Sequence, residues 1–475
     1  MNLTEGTLEE LRRAGISTSF GAMKVDLQAP AKEVIPKVTP LLNKIPRTKG
    51  EGNTKTEWKT VTGVNTLNLS PGVGEGQRNA LLTTSMVDKS AYYGTLGFDD
   101  AVTEEAVWAG KGFTNLPADV KRRIILGLKI AEERVIFGGR RSTGLGTSPT
   151  PVATTSTTGG SIATGLSEVV YVVALTHAGW QRSSVANGVK LTTTRNNMGG
   201  TTATDKGGHA APSVASNTVT TGAGSANKIS WTVPGMLGAA AYAVFVGANA
   251  GAARLYEITQ YPSGDILSLP TTTQLLSVVE ATDESADSLV FDGLASQLAA
   301  SGFGGYQKQY AGTTLTSDGA AGIVELNDAF TWFWDNWKLA PTDLWCSAKM
   351  ATAIDKIVIA NGGAPIMRVN TAPGGMTEYG RGGRITSVLD KSTNVDVALN
   401  VHPDCPDSWM MFTSDSVPFP TANIGNPVEV HVQTEYYGRD WPMINRQYEF
   451  GTYVREALPI YAEGAFGIIQ GLKAA

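Results

Sequence analysis

The clearest periodicity in the chain is an apolar residue at every third or fourth position between Pro117 and Phe137. This spacing places the apolar side chains on one face of an α-helix. Asn115 or Thr114 can cap the first turn, and Gly138-Gly139 ends the helix. The pattern therefore predicts one long amphipathic helix. Its apolar positions are Val120, Ile124, Leu128, Ala131 and Val135.

A helix-strand-helix unit is predicted further along the chain. Ile323 to Trp337 has helical spacing, and a third helix begins at Ser347 and ends before Gly362-Gly363. Between them, Asp343-Leu-Trp-Cys has the composition of a short buried strand. The run Trp332-Phe-Trp-Asp-Asn-Trp lies within the first of these helices, which favours core or subunit contact over a sugar-binding platform.

Residues 34–98 are predicted to be extended. Polar and apolar residues alternate from Thr56 to Val64, after the polar stretch Lys49-Gly-Glu-Gly-Asn. We interpret this stretch as the tip of a long hairpin that reaches away from a core. A two-stranded ribbon is marginally stable alone, so such a hairpin needs a surface to lie on.

The C-terminal quarter also has strand composition, and we expect its strands to form one sheet. The predicted strands are Val395–Val401, Trp409–Thr413, Val428–Tyr437, Gln447–Ala457 and Gly464–Ile469.

Residues 144–286 differ from both flanks, because about 9% of them are charged against 17% of the whole chain. The Pro/Thr-rich stretch 147–160 is predicted to be a linker. Short β-branched runs follow, separated by Gly and Asn, which predicts an inserted β-sandwich. One stretch, Ile229 to Ala253, is uncharged and long enough to span a membrane, but Pro and Gly divide it into two strand-like pieces, 229–233 and 241–247.

Overall charge and cysteine content narrow the class of protein. The 475 residues include 38 Lys plus Arg and 43 Asp plus Glu, a formal net charge of −5, which argues against a protein that coats nucleic acid. Cys346 and Cys405 are the two cysteines, and we expect packed thiols. The first residues lack the apolar core of a signal peptide, which favours synthesis and assembly in the cytoplasm.

No constellation predicts an enzyme. The sequence contains no HExxH, GxSxG or GxxxxGK[ST] motif, and no cofactor is expected. No metal site is expected either, because the four histidines are not spaced as ligand pairs, although two could meet in space; they are His177, His209, His402 and His431.

Three other motifs have a structural interpretation that we favour over a chemical one. Gly72-Val-Gly-Glu-Gly is interpreted as a turn, and Gly374-Gly375 with Gly380-Arg-Gly-Gly-Arg as a surface loop, although an Arg-rich glycine loop can bind an anion. The acidic residues Asp99-Asp100 and Glu104-Glu105 could bind a cation, but capping of a helix explains them more simply.

The order of elements resembles the major capsid proteins of tailed bacteriophages, which have the Hong Kong 97-like fold. The most family-like text is Val428-Glu-Val-His-Val-Gln-Thr-Glu-Tyr-Tyr-Gly-Arg-Asp, then Tyr448-Glu-Phe-Gly-Thr-Tyr-Val-Arg-Glu-Ala and Gly464-Ala-Phe-Gly-Ile-Ile. The resemblance implies an α+β fold with an all-β insert similar to immunoglobulin-like or fibronectin type III domains. Its implied domains are an N-terminal arm (1–33), an E-loop and peripheral domain with a spine helix (34–143, helix 116–137), the insert (144–286), an axial domain (287–400) and returning peripheral strands (401–475).

The resemblance also implies a function and partners. The chain would assemble with itself into hexamers and pentamers of an icosahedral virion shell, with portal and scaffold or other head proteins, around packaged double-stranded DNA and without a membrane. The E-loop would lie over a neighbouring subunit. Two alternatives remain open: a surface adhesin whose sandwich binds a receptor or glycan, and a tail or baseplate component. The expected inter-subunit contacts of the E-loop are Lys55, Glu57, Trp58, Lys59, Arg78 and Lys89.

Overall fold

A computed structural model describes residues 35–474, with gaps at 52, 65, 67–68, 112–113, 190–193, 197–201, 205, 321, 361–368, 372–376, 380–384, 420 and 444. The backbone alone is described for 194–196, 202–204, 369–371 and 377–379. The predicted N-terminal arm and the Arg-rich glycine loop at 380–384, with Gly374-Gly375, therefore lie outside the described residues.

The described helices are α1 Pro40–Lys44, α2 Glu104–Ala109, α3 Leu116–Gly138, α4 His177–Arg182, α5 Leu294–Leu298, α6 Val324–Trp337 and α7 Ala348–Ala360. The strands are β1 Arg47–Lys49, β2 Lys55–Val64, β3 Thr84–Tyr92, β4 Gly94–Thr103, β5 Val152–Ser156, β6 Ser167–Leu175, β7 Thr194–Asn196, β8 Thr202–Thr204, β9 Val219–Thr220, β10 Lys228–Thr232, β11 Ala241–Gly247, β12 Arg254–Thr259, β13 Ser263–Ile266, β14 Tyr306–Gln309, β15 Asp343–Cys346, β16 Val369–Thr371, β17 Thr377–Tyr379, β18 Ser387–Asp390, β19 Val395–Val401, β20 Met410–Thr413, β21 Val430–Asp440, β22 Gln447–Ala457 and β23 Gly467–Gln470.

The three helices predicted from periodicity are confirmed as α3, α6 and α7. The side chain of Asn115 caps α3 by accepting from the backbone N–H of Ala118, at 3.4 Å. The apolar stripe of α3 faces a four-stranded sheet of order β1-β21-β22-β4, where Val120 and Ile124 pack against Phe450. We call this the peripheral sheet.

The other large sheet outside 144–286 has six strands, in the order β14-β23-β20-β15-β19-β18. The helices α6 and α7 pack against it. Phe330 and Phe333 of α6 meet Phe412 of β20 edge to face, with ring centroids 5.8 and 5.6 Å apart. Aromatic burial of this kind supplies much of the apolar area in a core. In the run singled out in the sequence, Phe333 is in the core, Trp332 and Trp337 are partly buried against it, and Trp334 is 41% exposed. We call this six-stranded sheet the axial sheet.

The expectation that the C-terminal strands form one sheet is wrong. β21 and β22 belong to the peripheral sheet, whereas β19, β20 and β23 belong to the axial sheet. The reason is that all four residues of β20 and of β23 are buried, as suits a strand covered on both faces, while β21 and β22 run out to an exposed end. Composition identifies a strand but does not choose its partners.

Residues 144–286 form two larger sheets, of order β13-β10-β5 and β12-β11-β6-β9, and the two-stranded sheet β7-β8. One apolar cluster draws on both, with Ile229 and Trp231 from the first and Val172 and Tyr242 from the second. The predicted strand pieces near 229–233 and 241–247 are confirmed as β10 and β11. Among the described residues, no helix has the length and apolar character that a membrane span requires.

The predicted linker at 147–160 is wrong, because β5 lies inside it and pairs antiparallel with β10. The two-sheet segment is also bonded to the rest of the chain. Trp409 donates its indole N–H to the carbonyl of Ala239 at 3.2 Å, and Gly238 donates its backbone N–H to Gln470 Oε1 at 2.7 Å.

The α+β class is confirmed. Outside 144–286, the described elements follow the order that the resemblance implies: an extended hairpin, a long helix, a sheet with two helices, and returning strands.

Candidate assembly interface

The long hairpin is formed by β2 and β3, which pair from Lys55 opposite Tyr92 to Val64 opposite Thr84. The two strands are connected at the Val64–Thr84 end, with 66 and 69–83 described there as the turn region, so the prediction that Lys49–Asn53 forms the tip is wrong. That stretch lies at the base of the hairpin, where the backbone N–H of Gly50 donates to the carbonyl of Val432 at 2.8 Å. The glycine run at 72–76 lies in the turn region instead and contains a turn closed by Gln77 N–H to Gly74 O, at 3.0 Å, as predicted.

The base of the hairpin is anchored on its own chain by two of the candidate residues. Trp58 meets Tyr461 edge to face, with ring centroids 5.3 Å apart. Lys89 Nζ lies 2.8 Å from Glu463 Oε1. Burial raises the pKa of Tyr461 to about 12, which keeps its hydroxyl neutral against the indole of Trp58.

The other candidates lie on the hairpin surface. Lys55 pairs with Glu57, and Lys59 Nζ lies 3.4 Å from Asp88 Oδ1 across the two strands. Arg78 is exposed in the turn region. Surface pairs of this kind contribute about 0 to 1 kcal/mol each. The charges at Lys55, Glu57, Lys59 and Lys89 thus have partners within the chain, and the prediction that they pair across subunits remains a prediction.

The distal half of the hairpin exposes a series of apolar side chains. Leu81 is 89% exposed, Leu82 61% and Met86 60%. Val61, Val64, Val73 and Val87 are also exposed. Large exposed apolar patches on a protein surface are typical of contact surfaces, which makes these side chains candidates for an interface.

A groove of about 1200 Å³ separates the hairpin from the part of the chain that carries the axial sheet. Trp58 and Val87 line its hairpin side, and Trp337, Phe419 and Ile424 line the other. The hairpin therefore stands away from the body of its own chain.

Two further exposed apolar side chains lie near the end of the peripheral sheet where β22 begins. Trp108 is 61% exposed and Met443 52%. Arg446 Nη2 lies 3.0 Å from Glu105 Oε1 of α2. Of the four acidic residues singled out in the sequence, Glu104 and Glu105 lie in the first turn of α2, as the helix-capping interpretation predicted. Asp99 and Asp100 lie in β4 instead.

The sequence analysis missed a cluster of largely buried charged residues near the base of the hairpin. We call this cluster, Glu132, Glu133, Glu456 and Arg47, the charged joint. Adjacent residues Glu132 and Glu133 of α3 are both buried. Glu133 Oε1 accepts from the backbone N–H of Leu41 at 2.9 Å and from His402 Nε2 at 2.7 Å, and Oε2 accepts from the backbone N–H of Leu42 at 2.8 Å. A signal was present, because Glu132 stands four residues after Leu128 on the apolar stripe, where a charge is out of place.

The tautomer of His402 follows from its partners. The backbone N–H of Asp404 donates to His402 Nδ1 at 3.1 Å, so Nε2 carries the proton and donates to Glu133. Two of the four histidines share a neighbour, since His177 and His402 both contact the Phe137 ring, at centroid distances of 4.8 and 4.7 Å. Burial lowers the pKa of His177 to about 4.

The remaining chemical candidates are structural. Cys346 and Cys405 are buried and form no disulfide, as expected of packed thiols, and burial raises the pKa of the Cys405 thiol. His209 is buried with Nδ1 2.7 Å from the carbonyl of Ala210, and His431 Nε2 lies 2.7 Å from the Tyr461 hydroxyl. Within the described part of the chain, no group of three or more His, Cys, Asp or Glu residues is arranged to hold a metal ion.

No family model and no curated protein matches the sequence. Among solved structures, the chain is similar to the capsid of Myoviridae Phage XM1, with 10% identity, a TM-score of 0.41 and coverage of 97% of this chain and 100% of that one. It is similar to the holo-SrpI encapsulin complex from Synechococcus elongatus PCC 7942, with 8% identity, a TM-score of 0.41 and coverage of 100% and 98%. It is also similar to the capsid of the native GTA particle, with 8% identity, a TM-score of 0.44 and coverage of 97% and 100%.

Proposed function

We propose that the chain is a major capsid protein that assembles with itself into hexamers and pentamers of an icosahedral shell around packaged double-stranded DNA. One observation carries this proposal: the distal half of the hairpin exposes apolar side chains and stands away from its own chain across the groove. Burial of such side chains is worth about 25 cal/mol per Å², so a neighbouring copy that covers them stabilises the assembly.

The hairpin corresponds to the E-loop of the resemblance, and α3 to the spine helix. We expect the six E-loop residues to contribute at two levels. Trp58 and Lys89 set the angle at which the hairpin leaves the body, through Tyr461 and Glu463. Lys55 and Glu57 precede Trp58 at the base, whereas Lys59 and Arg78 lie further out, and the charges of a neighbouring copy can exchange with the pairs inside the hairpin.

The proposal also assigns domains. The segment 144–286 is an inserted β-sandwich of immunoglobulin-like type that decorates the shell, and the flanking parts 34–143, 287–400 and 401–475 form the peripheral and axial parts. Portal and scaffold or other head proteins are further partners, the place is a virion assembled in the host cytoplasm, and the role is structural rather than enzymatic. The shared cluster of the two sheets and their bonds to Gln470 and Trp409 support a rigidly attached decoration.

The test is assembly of the purified chain, followed by electron microscopy and by light scattering after size exclusion. We expect closed shells or rings of five and six copies. The double variant L81D/L82D should remain folded and monomeric, because it charges two side chains that are already exposed in the isolated chain.

The matched control is Thr83→Asp, which adds a carboxylate at the next exposed position and should leave assembly intact. Normal shells from L81D/L82D would contradict the role of the hairpin. Shells that never contain DNA when recovered from a packaging host would contradict the virion function while leaving the shell intact.

A further inference from the structure

The partner of Glu132 across the charged joint is a second buried carboxyl group, Glu456 of β22. Both side chains have no solvent exposure. Arg47 of β1 joins them, with Nη1 bonded to Glu132 Oε1 and Nη2 at 3.1 Å from Glu456 Oε2. The hydroxyl of Tyr436 donates to Glu132 Oε2.

The charges around this pair do not balance if both carboxyls are ionised. Among the described residues, Arg47 is the cation in direct contact with both carboxyls, and Lys129 of α3 lies over the Tyr436 ring, 5.7 Å from its centroid. Glu435 of β21 adds a further carboxylate 4.0 Å from Arg47 Nη2, but its side chain is 73% exposed. On the other side, β4 presents Gly94 opposite Glu456.

Burial and the negative charge of Glu132 both raise the pKa of Glu456. Burial raises its pKa well above the ordinary glutamate value, and the neighbouring Glu132 raises it further, while Arg47 lowers it by less. Burial opposes the charge of Arg47, but Glu456 and Glu132 outweigh that effect and raise the pKa of Arg47. Two buried carboxyls in contact with one guanidinium are therefore best accommodated as one carboxylate and one carboxylic acid.

We propose that Glu132 and Glu456 hold one proton between them, and that this pair, closed by Arg47, is a proton-dependent clasp on the N-terminal strand β1. When the clasp opens, Glu456 releases its proton to solvent and becomes an ordinary hydrated carboxylate. β1 is the part most easily released, because it has three residues and pairs on one side only, with β21.

The sign of the pH dependence follows from linkage. The closed state holds a proton that the open state gives up, so each unit of pH above about 4.5 favours opening by about tenfold. The opening equilibrium stops rising once the pH exceeds the raised pKa of the carboxyl pair in the closed state. The proposal concerns the fold of the single chain, so its test is independent of whether the chain assembles into a shell.

Hydrogen exchange of the full chain tests the clasp. Protection factors of the peptide covering 40–50 should fall by about tenfold per pH unit in this window. In Glu456→Gln the amide has no proton to lose and donates to Glu132, so this fall should vanish. Glu435→Gln is the matched control and should retain the fall seen in the unmodified chain. An equal fall in Glu456→Gln would overturn the proposal.

A second measurement tests the proposal if the Glu456→Gln variant does not fold. Burial also raises the pKa of Glu168 and of Glu257, so both are replaced in E168Q/E257Q to remove their signals. The infrared spectrum of this variant in D₂O at neutral pH should show the band of a protonated carboxylic acid, which disappears on raising the pH. Absence of that band at neutral pH would overturn the proposal.

Discussion

The hairpin and the charged joint beneath it distribute polarity in opposite ways. The hairpin exposes Leu81 and Leu82, whereas the joint buries Glu132, Glu133 and Glu456. Both arrangements cost free energy in the isolated chain, one by leaving apolar surface in water and the other by removing charge from it. In the two proposals made above, a neighbouring copy stabilises the hairpin, and internal partners with one proton stabilise the joint. Assembly and internal cohesion therefore depend on different physical terms.

The largest expected effect is at Glu133, whose carboxylate accepts three buried hydrogen bonds. Glu133→Ala leaves the donors of Leu41, Leu42 and His402 unpaired. We expect the free energy of unfolding to fall by about 3 to 5 kcal/mol, measured by urea denaturation. The control Arg134→Ala removes a half-exposed neighbour and should cost less than about 1 kcal/mol. Equal losses of unfolding free energy in the two variants would show that the hydrogen bonds of Glu133 contribute no more to stability than an exposed ion pair.

The next effect is a loss of stability in acid through His177. Because its pKa is lowered to about 4 in the folded state, the unfolded chain binds the proton first as the pH falls below about 6.5. Stability should therefore decline between about pH 6.5 and 4, by up to about 3 kcal/mol. His177→Gln should flatten this slope in urea titrations across that range. An unchanged slope would assign the decline to other groups.

A smaller effect is expected at the hairpin base. Trp58→Ala removes the edge-to-face contact with Tyr461 and should weaken the anchoring by about 1 to 3 kcal/mol. Hydrogen exchange should accelerate in β2 and β3 while the axial sheet stays protected. If the axial sheet also loses protection, the hairpin is a cooperative part of the body and the comparison drawn above fails.

The smallest effect separates two lysines of the hairpin. Lys59→Gln breaks a pair in which both side chains are more than 70% exposed, and should change stability by less than about 0.5 kcal/mol. Lys89→Gln breaks a half-buried bridge to Glu463 and should cost more, up to about 1 kcal/mol. Thermal unfolding of the two variants side by side measures the difference. The reverse ranking would show that the hairpin is held along its length rather than at its base.

Local patterns identified the elements better than their partners. The stripe from Val120 to Val135 predicted α3, its cap and its end, because helix periodicity and capping act within a few residues. The alternation from Thr56 to Val64 predicted β2 for the same reason. The stretch 147–160 was taken for a linker because Pro and Thr are common in linkers, but the pairing of β5 with β10 decides its structure, and that partner is distant in sequence.

The sequence by itself determined the three long helices α3, α6 and α7, the extended hairpin, the low-charge segment 144–286 and the α+β class, because each depends on composition or on short-range periodicity. The tertiary structure decided which sheet each C-terminal strand joins, that Gly50 lies at the base of the hairpin rather than at its tip, and that Glu132 meets Glu456 and Arg47. These features depend on contacts between residues far apart in the chain, where burial and charge pairing act only after the backbone has brought the groups together.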